Sequence, residues 1–181
     1  NGDYRPHLAL IGIDVYNYKL DPNSPDYDAA QTSTVLRLVG SGQNLLLEDC
    51  LFRFNGLVIQ GFGGVYRNVD IRRCIVTDAY FKDSTTSSSD RPSGIFTAET
   101  FDLLIEECVW DHNGWNADLP NAGRNIFNHN LYLNTSTANV VVRNNVITRG
   151  AAHGLQLRGG GLAEDNLFSR NAVGMNLGYH A

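Results

Sequence analysis

An all-β solenoid of about six coils is the fold class this 181-residue sequence predicts, on three observations. A short phrase recurs along the chain: apolar, two polar, then Cys or Asn, then two apolar residues. A second phrase, led by Gly or Asn, follows each copy and alternates apolar with polar. The chain also holds 18 Gly and 19 Asn, the residues that best tolerate left-handed backbone, so it turns often. Internal repetition at this scale marks stacked units that bury their apolar faces only against neighbours.

The first strand of each coil ends at an anchor residue. The phrase reads Leu46–Phe52, Asp70–Val76, Leu104–Trp110, Val141–Ile147 and Leu162–Phe168, with a weaker copy at Leu10–Val15. The anchors are Ile13, Cys50, Cys74, Cys108, Asn145 and Asn166, spaced 37, 24, 34, 37 and 21 apart. The shortest spacings suit one coil, and the longer ones suit a coil with an insertion. The second strand starts just after the anchor. The third is the Gly- or Asn-led phrase at Gly56–Gln60, Gly94–Ala98, Asn130–Asn134, Gly154–Arg158 and Gly174–Gly178. Its period of two gives a strand with one buried face. Six coils at the strand spacing make a rod of roughly 29 Å. No stretch of ten or more residues carries a helical stripe. The whole chain, 1–181, reads as one domain, and neither end reads as a cap, which points to a piece of a longer chain.

Insertions fall at 17–33, 81–92 and 113–127, all between the second and third strands. Four of the five Pro residues lie in them. Loops stacked on one side of a solenoid commonly form its binding face.

Composition bounds the function. The net charge is −5 with only two Lys, which argues against a nucleic-acid or polybasic membrane binder. No apolar run reaches the length of a membrane helix.

The repeated anchor and the three short strands per coil resemble the right-handed parallel β-helix proteins, the pectate-lyase-like superfamily, from about Leu8 to Gly178. The resemblance implies an inward Asn ladder at the tight turn. Asn145 and Asn166 fit it, and the three Cys take the same place in earlier coils. Stacked, buried thiols are the expected state of those Cys. A disulfide there has poor geometry, and no CxxC suggests a metal.

The resemblance also implies a cleft between the outer face of the third strands and the inserted loops. Parity puts Val58, Gln60, Phe96, Ala98, Tyr132, Asn134, Gln156, Arg158 and Asn176 on that face. His129 and His153 stand just before the strand in adjacent coils. Asp78, His112, Arg149 and Arg170 form a column on the preceding turn, and the loops add Lys82, Trp115 and Arg124. Many proteins of this fold act on polysaccharides. Hydrolysis needs two carboxylates, and these outward positions hold none. β-Elimination or epimerisation of a uronic-acid polymer needs a cation for the carboxylate, a base for the C5 proton and, for elimination, an acid for the leaving oxygen. Arg158, His153 or His129, and Tyr132 suit those roles in that order. Lys82, His112, Trp115, Arg124, Asn134, Gln156 and Asn176 are the expected substrate contacts, Trp115 either by stacking on a sugar or as a loop anchor. A purely structural role for the two His, capping turn backbone, stays open, as does a non-catalytic glycan-binding, adhesin or tailspike-type β-helix. Lyases of the family often use Ca²⁺. Asp78, Asp83, Asp111 and Asp118 offer oxygens for Ca²⁺ but match no calcium motif. A polymer substrate implies an extracellular or periplasmic protein.

Overall fold

The strand ladders run one way throughout. In the computed structural model, which describes residues 4–28, 30, 35–81 and 92–178, every strand pairs in parallel with its counterpart in the next coil. Three six-stranded sheets result. Sheet A holds β1 (Tyr4–Ile11), β4 (Ser41–Glu48), β7 (Tyr66–Arg72), β10 (Thr100–Glu106), β13 (Ala138–Arg143) and β16 (Leu162–Glu164). Sheet B holds β2 (Asp14–Tyr16), β5 (Leu51–Arg53), β8 (Ile75–Thr77), β11 (Val109–Asp111), β14 (Val146–Thr148) and β17 (Leu167–Ser169). Sheet C holds β3 (Val35–Val39), β6 (Gly56–Gln60), β9 (Ile95–Ala98), β12 (Leu131–Leu133), β15 (His153–Leu157) and β18 (Val173–Leu177). The only helical element among the described residues is a single 3₁₀ turn, Tyr18–Leu20, inside the first insertion.

Register follows the apolar pattern, because a slip of one residue would turn every buried side chain outward. Phe52, Val76, Trp110, Ile147 and Phe168 stack in one column down sheet B. Trp110 is fully buried there, as its alignment with Phe52 predicts. Leu57, Ile95, Leu131, Leu155 and Met175 form the matching column of sheet C. In the sixth coil Val173, Met175 and Leu177 are 43%, 39% and 61% exposed, since no described strand lies beyond β18.

The anchors sit at the tight turn between sheets A and B, each one residue before a sheet B strand. The residue before each Cys or Asn anchor (Asp49, Arg73, Glu107, Asn144 and Asp165) has a φ between 49° and 55°, the left-handed turn. Asn145 is 1% exposed and fully bonded. Its Oδ1 accepts the Cys108 N–H at 3.0 Å, and its Nδ2 donates to the Arg143 and Ile105 carbonyls at 2.8 and 3.1 Å. Asn166 Oδ1 in turn accepts the Asn145 N–H at 3.0 Å. The thiols continue the series in weaker form. Cys108 Sγ donates to Glu106 O and accepts the Cys74 N–H at 3.3 Å, while Cys74 and Cys50 donate to carbonyls of their own and the preceding coil. All three are free and buried. Burial holds Cys50 above its ordinary value, and the bond to Cys74 together with burial pushes Cys108 up.

Two features depart from the sequence reading. The first coil has a third strand, β3, whose leading residue is Val35 rather than Gly, so the Gly-led phrase does not reveal it. A second asparagine ladder runs at the turn between sheets B and C. Asn113 Nδ2 donates to Asn130 Oδ1 at 2.9 Å, and Asn130 Nδ2 donates to Asn171 Oδ1 at 3.2 Å. Each also donates to a backbone carbonyl: Val76 for Asn113, Thr148 for Asn130 and Ile147 for Asn171.

Candidate functional site

The described parts of the insertions do not hang free. Leu20 from the first, Tyr80 from the turn after β8, and Ala122 from the third are each no more than 2% exposed. They pack together with Phe54 and Leu119 as a small core of their own. Tyr80 also donates its hydroxyl to the Leu20 carbonyl at 2.6 Å. At the foot of the third loop, Asn113–Asn130 and Asn128 Nδ2 to Gly114 O pinch the chain shut. The described parts of the first and third insertions, with the turn after β8, are thus one braced wall beside sheet C. After β5, β14 and β17 the same turn takes only a few residues.

Sheet C's outer face carries one column of Arg37, Val58, Phe96, Tyr132, Gln156 and Asn176 in strict register. Arg37 heads it unanticipated, because β3 was unread. Ala98 faces outward by parity yet is only 4% exposed. Asn134 lies one column over but spends its Oδ1 on the turn, accepting from Thr135 Oγ1 and the Ser136 N–H.

The four residues expected to do chemistry come together in one chain of contacts. Arg158 Nη1 donates to Tyr132 Oη at 2.5 Å. The Tyr132 ring meets those of Phe96 and His129 edge-on, each at 5.2 Å. His129 and His153 face each other across the coils, Nδ1 to Nδ1 at 3.0 Å. His129 and His153 are thereby part of a third column, in which Ser93 Oγ accepts the His129 N–H at 3.2 Å.

Bonding fixes the tautomers of the pair. The His153 backbone N–H donates to His129 Nδ1, so that nitrogen is an acceptor. His153 Nδ1 must then carry the hydrogen between the rings, and His153 Nε2 keeps its lone pair. The two residues are 3% and 8% exposed, and burial lowers the pKa of His153. That favours a neutral imidazole at neutral pH. Because Tyr132 Oη accepts from Arg158, its own O–H remains a donor.

The remaining expected contacts form a separate group on the turn between sheets B and C. Lys82 and Asp83 lie outside the described residues. His112 Nδ1 bonds Asp78 Oδ1 at 2.5 Å, and Thr77 Oγ1 donates to the other Asp78 oxygen at 2.7 Å. Partial burial works against the Asp78 carboxylate, but the His112 and Thr77 bonds hold it below its ordinary value. His112 also meets the Trp115 ring edge-on at 4.5 Å. Arg124 lies over that ring at 4.0 Å, and Trp115 Nε1 donates to the Arg149 carbonyl at 2.8 Å. Trp115 is thereby tied into its loop and braces Arg124. Arg149 is committed to Asp111. Asp78 and Asp111 are thus both engaged, and among the described residues no group of three His, Cys, Asp or Glu side chains converges.

The outer face of sheet A contrasts with both groups. Glu48, Arg72, Arg73, Glu106 and Arg143 pair with one another across coils there, so its charges are satisfied internally. No helix among the described residues is long and apolar enough to cross a membrane.

Comparison with known families matches residues 37–181 to the right-handed β-helix region. The chain belongs to the right-handed β-helix family. No curated protein and no solved structure matches it. Membership explains the sheets, the ladders and the loop-lined face of this β-helix, while its chemistry rests on its own side chains.

Proposed function

We propose that this β-helix is a carbohydrate-active protein that cleaves a uronic-acid polymer by β-elimination on the outer face of sheet C. The observation that carries this reading is the contact chain His153–His129–Tyr132–Arg158. It brings a cation, a hydroxyl donor and a neutral imidazole together beside a wall of loops. Arg158 neutralises the uronate carboxylate and so makes the C5 hydrogen acidic. His153 Nε2 takes that proton. The electron pair forms the C4=C5 double bond, the C4–O bond breaks, and Tyr132 O–H protonates the departing oxygen. An epimerase would use the same cation and base but return a proton to the opposite face. A substrate of this kind places the protein outside the cytoplasm, in the periplasm or beyond.

The test is a screen on alginate, pectate and glucuronan, with and without Ca²⁺, read as ultraviolet absorbance of the unsaturated product. Tyr132→Phe should lower the rate by about 10²-fold or more, since it removes the acid without changing the ring. No absorbance with any polymer would reject elimination. The alternative, a non-catalytic glycan-binding β-helix, draws on a specific observation as well: the two His are nearly enclosed. In that reading they only brace Tyr132, and the outer column of Tyr132, Gln156 and Asn176 binds sugar without turnover.

A further inference from the structure

The group on the turn between sheets B and C has a design the elimination chemistry does not use. Asp78 and His112 sit at equivalent places in neighbouring coils, both in left-handed turn backbone with φ of 59° and 56°. Backbone bonds lock both turns: Asp78 N–H to Asp111 O, and His112 N–H to Thr148 O, each 3.2 Å. The carboxylate therefore cannot drift from the imidazole. His112 Nδ1 is spent on Asp78, which leaves Nε2 as its second polar atom. Arg124 lies over the Trp115 ring, exposed, held to the indole by its charge. No carboxylate of the described residues pairs with it, whereas Arg149 beside it is bound to Asp111. Trp115 is the strut between the two functional groups and is itself pinned through Nε1.

We propose that Arg124 and His112, braced by Trp115 and Asp78, form a second binding site, separate from the Tyr132–Arg158 centre, for one acidic sugar residue. The guanidinium edge takes the sugar carboxylate, and His112 Nε2 bonds a neighbouring hydroxyl. A carboxylate and a hydroxyl on one ring define a uronic acid. A neutral sugar offers Arg124 nothing comparable in strength. The choice of ligand rests on the acidic-polymer reading, but the site needs no catalysis to be detected.

Tryptophan emission reads it directly. The chain has two Trp, and Trp110 is fully buried, so a ligand-dependent change reports Trp115. The protein is titrated with short oligouronates from pectate and alginate, and with their carboxyl-reduced neutral forms. The expected result is a saturable change with an acidic oligosaccharide only. Arg124→Gln should weaken it about tenfold, the loss of one charge-assisted contact. Arg124 is an exposed loop residue, so this variant should fold. His112→Gln, with a melting temperature measured alongside, should weaken binding as well. Tyr132→Phe should leave the emission change intact while slowing formation of ultraviolet product by about 10²-fold or more. An equal response to neutral sugar, no response at millimolar oligouronate, or a response lost in Tyr132→Phe but kept in Arg124→Gln would each overturn the second site. Failure of the polymer screen with this emission response intact would sink the elimination reading alone.

Discussion

Replacing Asn145 by Leu tests the ladder that sets the coil geometry. Leu has the same heavy-atom count and branching as Asn, so the substitution removes the hydrogen bonds without leaving a cavity. Asn145 is 1% exposed, so water does not replace what is removed. The variant strands the Cys108 N–H outright, because Asn145 Oδ1 is the acceptor that holds it. It also takes one donor each from the Ile105 and Arg143 carbonyls, and from Asn166 Oδ1 at 2.9 Å. A buried unsatisfied group costs about 1–3 kcal/mol, and the carbonyls keep partial satisfaction from sheet bonding. The expected loss is about 3 kcal/mol, or a fall of about 6–12 °C in melting temperature for a chain of this size. The companion variant is Asn145→Cys. At the preceding anchor a thiol already accepts one N–H and donates to one carbonyl. Asn145→Cys should therefore cost clearly less than Asn145→Leu. Thermal unfolding followed by circular dichroism decides it. Wild-type stability in the Leu variant, or a Cys variant as damaged as the Leu one, would refute the ladder as a source of stability.

Two further outcomes follow from the site's surroundings. Burial lowers the pKa of His153, so just below the ordinary value of 6.5 the unfolded chain binds the extra proton and the folded chain does not. Stability is then fully present above about 6.5 and falls as the pH drops toward the folded value, by at most about 1.4 kcal/mol per pH unit. Melting between pH 7.5 and 5 is compared for wild type and His153→Gln. An unchanged slope in the variant would exclude His153 as the source. Gly94→Ala should destabilise by about 1–3 kcal/mol, because its added methyl would lie 2.6 Å from Asn130 O and 2.9 Å from Asn113 Nδ2. At the equivalent place in the last coil, Gly174→Ala meets nothing nearer than 3.7 Å and should be nearly silent in the same melt.

The coil repeat was legible because burial writes it twice, once in the alternation of the strands and once in the anchor residue. Leu46–Phe52 and Asp70–Val76 carry different side chains but the same inward pair, and their register is as the phrase predicts. The pair His129 and His153 was legible by the same logic, since both stand just before the Gly- or Asn-led phrase. β3 was not, because Val35 breaks the Gly-led phrase and a long insertion separates it from β2. Nor was the second asparagine ladder, where Asn130 takes the place that Gly94 and Gly154 hold in neighbouring coils. Side-chain commitments were the least readable. Parity places Trp115 and Arg124 in one loop, but only packing shows that one covers the other.

The insertions explain why one face of this solenoid carries chemistry and another does not. A parallel stack brings equivalent residues of successive coils within side-chain reach, at a spacing near 4.8 Å. On sheet A this lets Glu48 and Glu106 meet arginines from neighbouring coils, and those charges cancel. On sheet C, Phe96 and the loop wall stand where such partners would be. Tyr132 is left to meet Arg158 diagonally, one coil on and two positions along. Asp78 and His112 meet across coils as sheet A's ions do. Shortening the third loop should act on both groups at once. It removes Arg124 and Trp115, which touches His112, and it shortens the run that leads into His129, whereas a change confined to Tyr132 reaches only one.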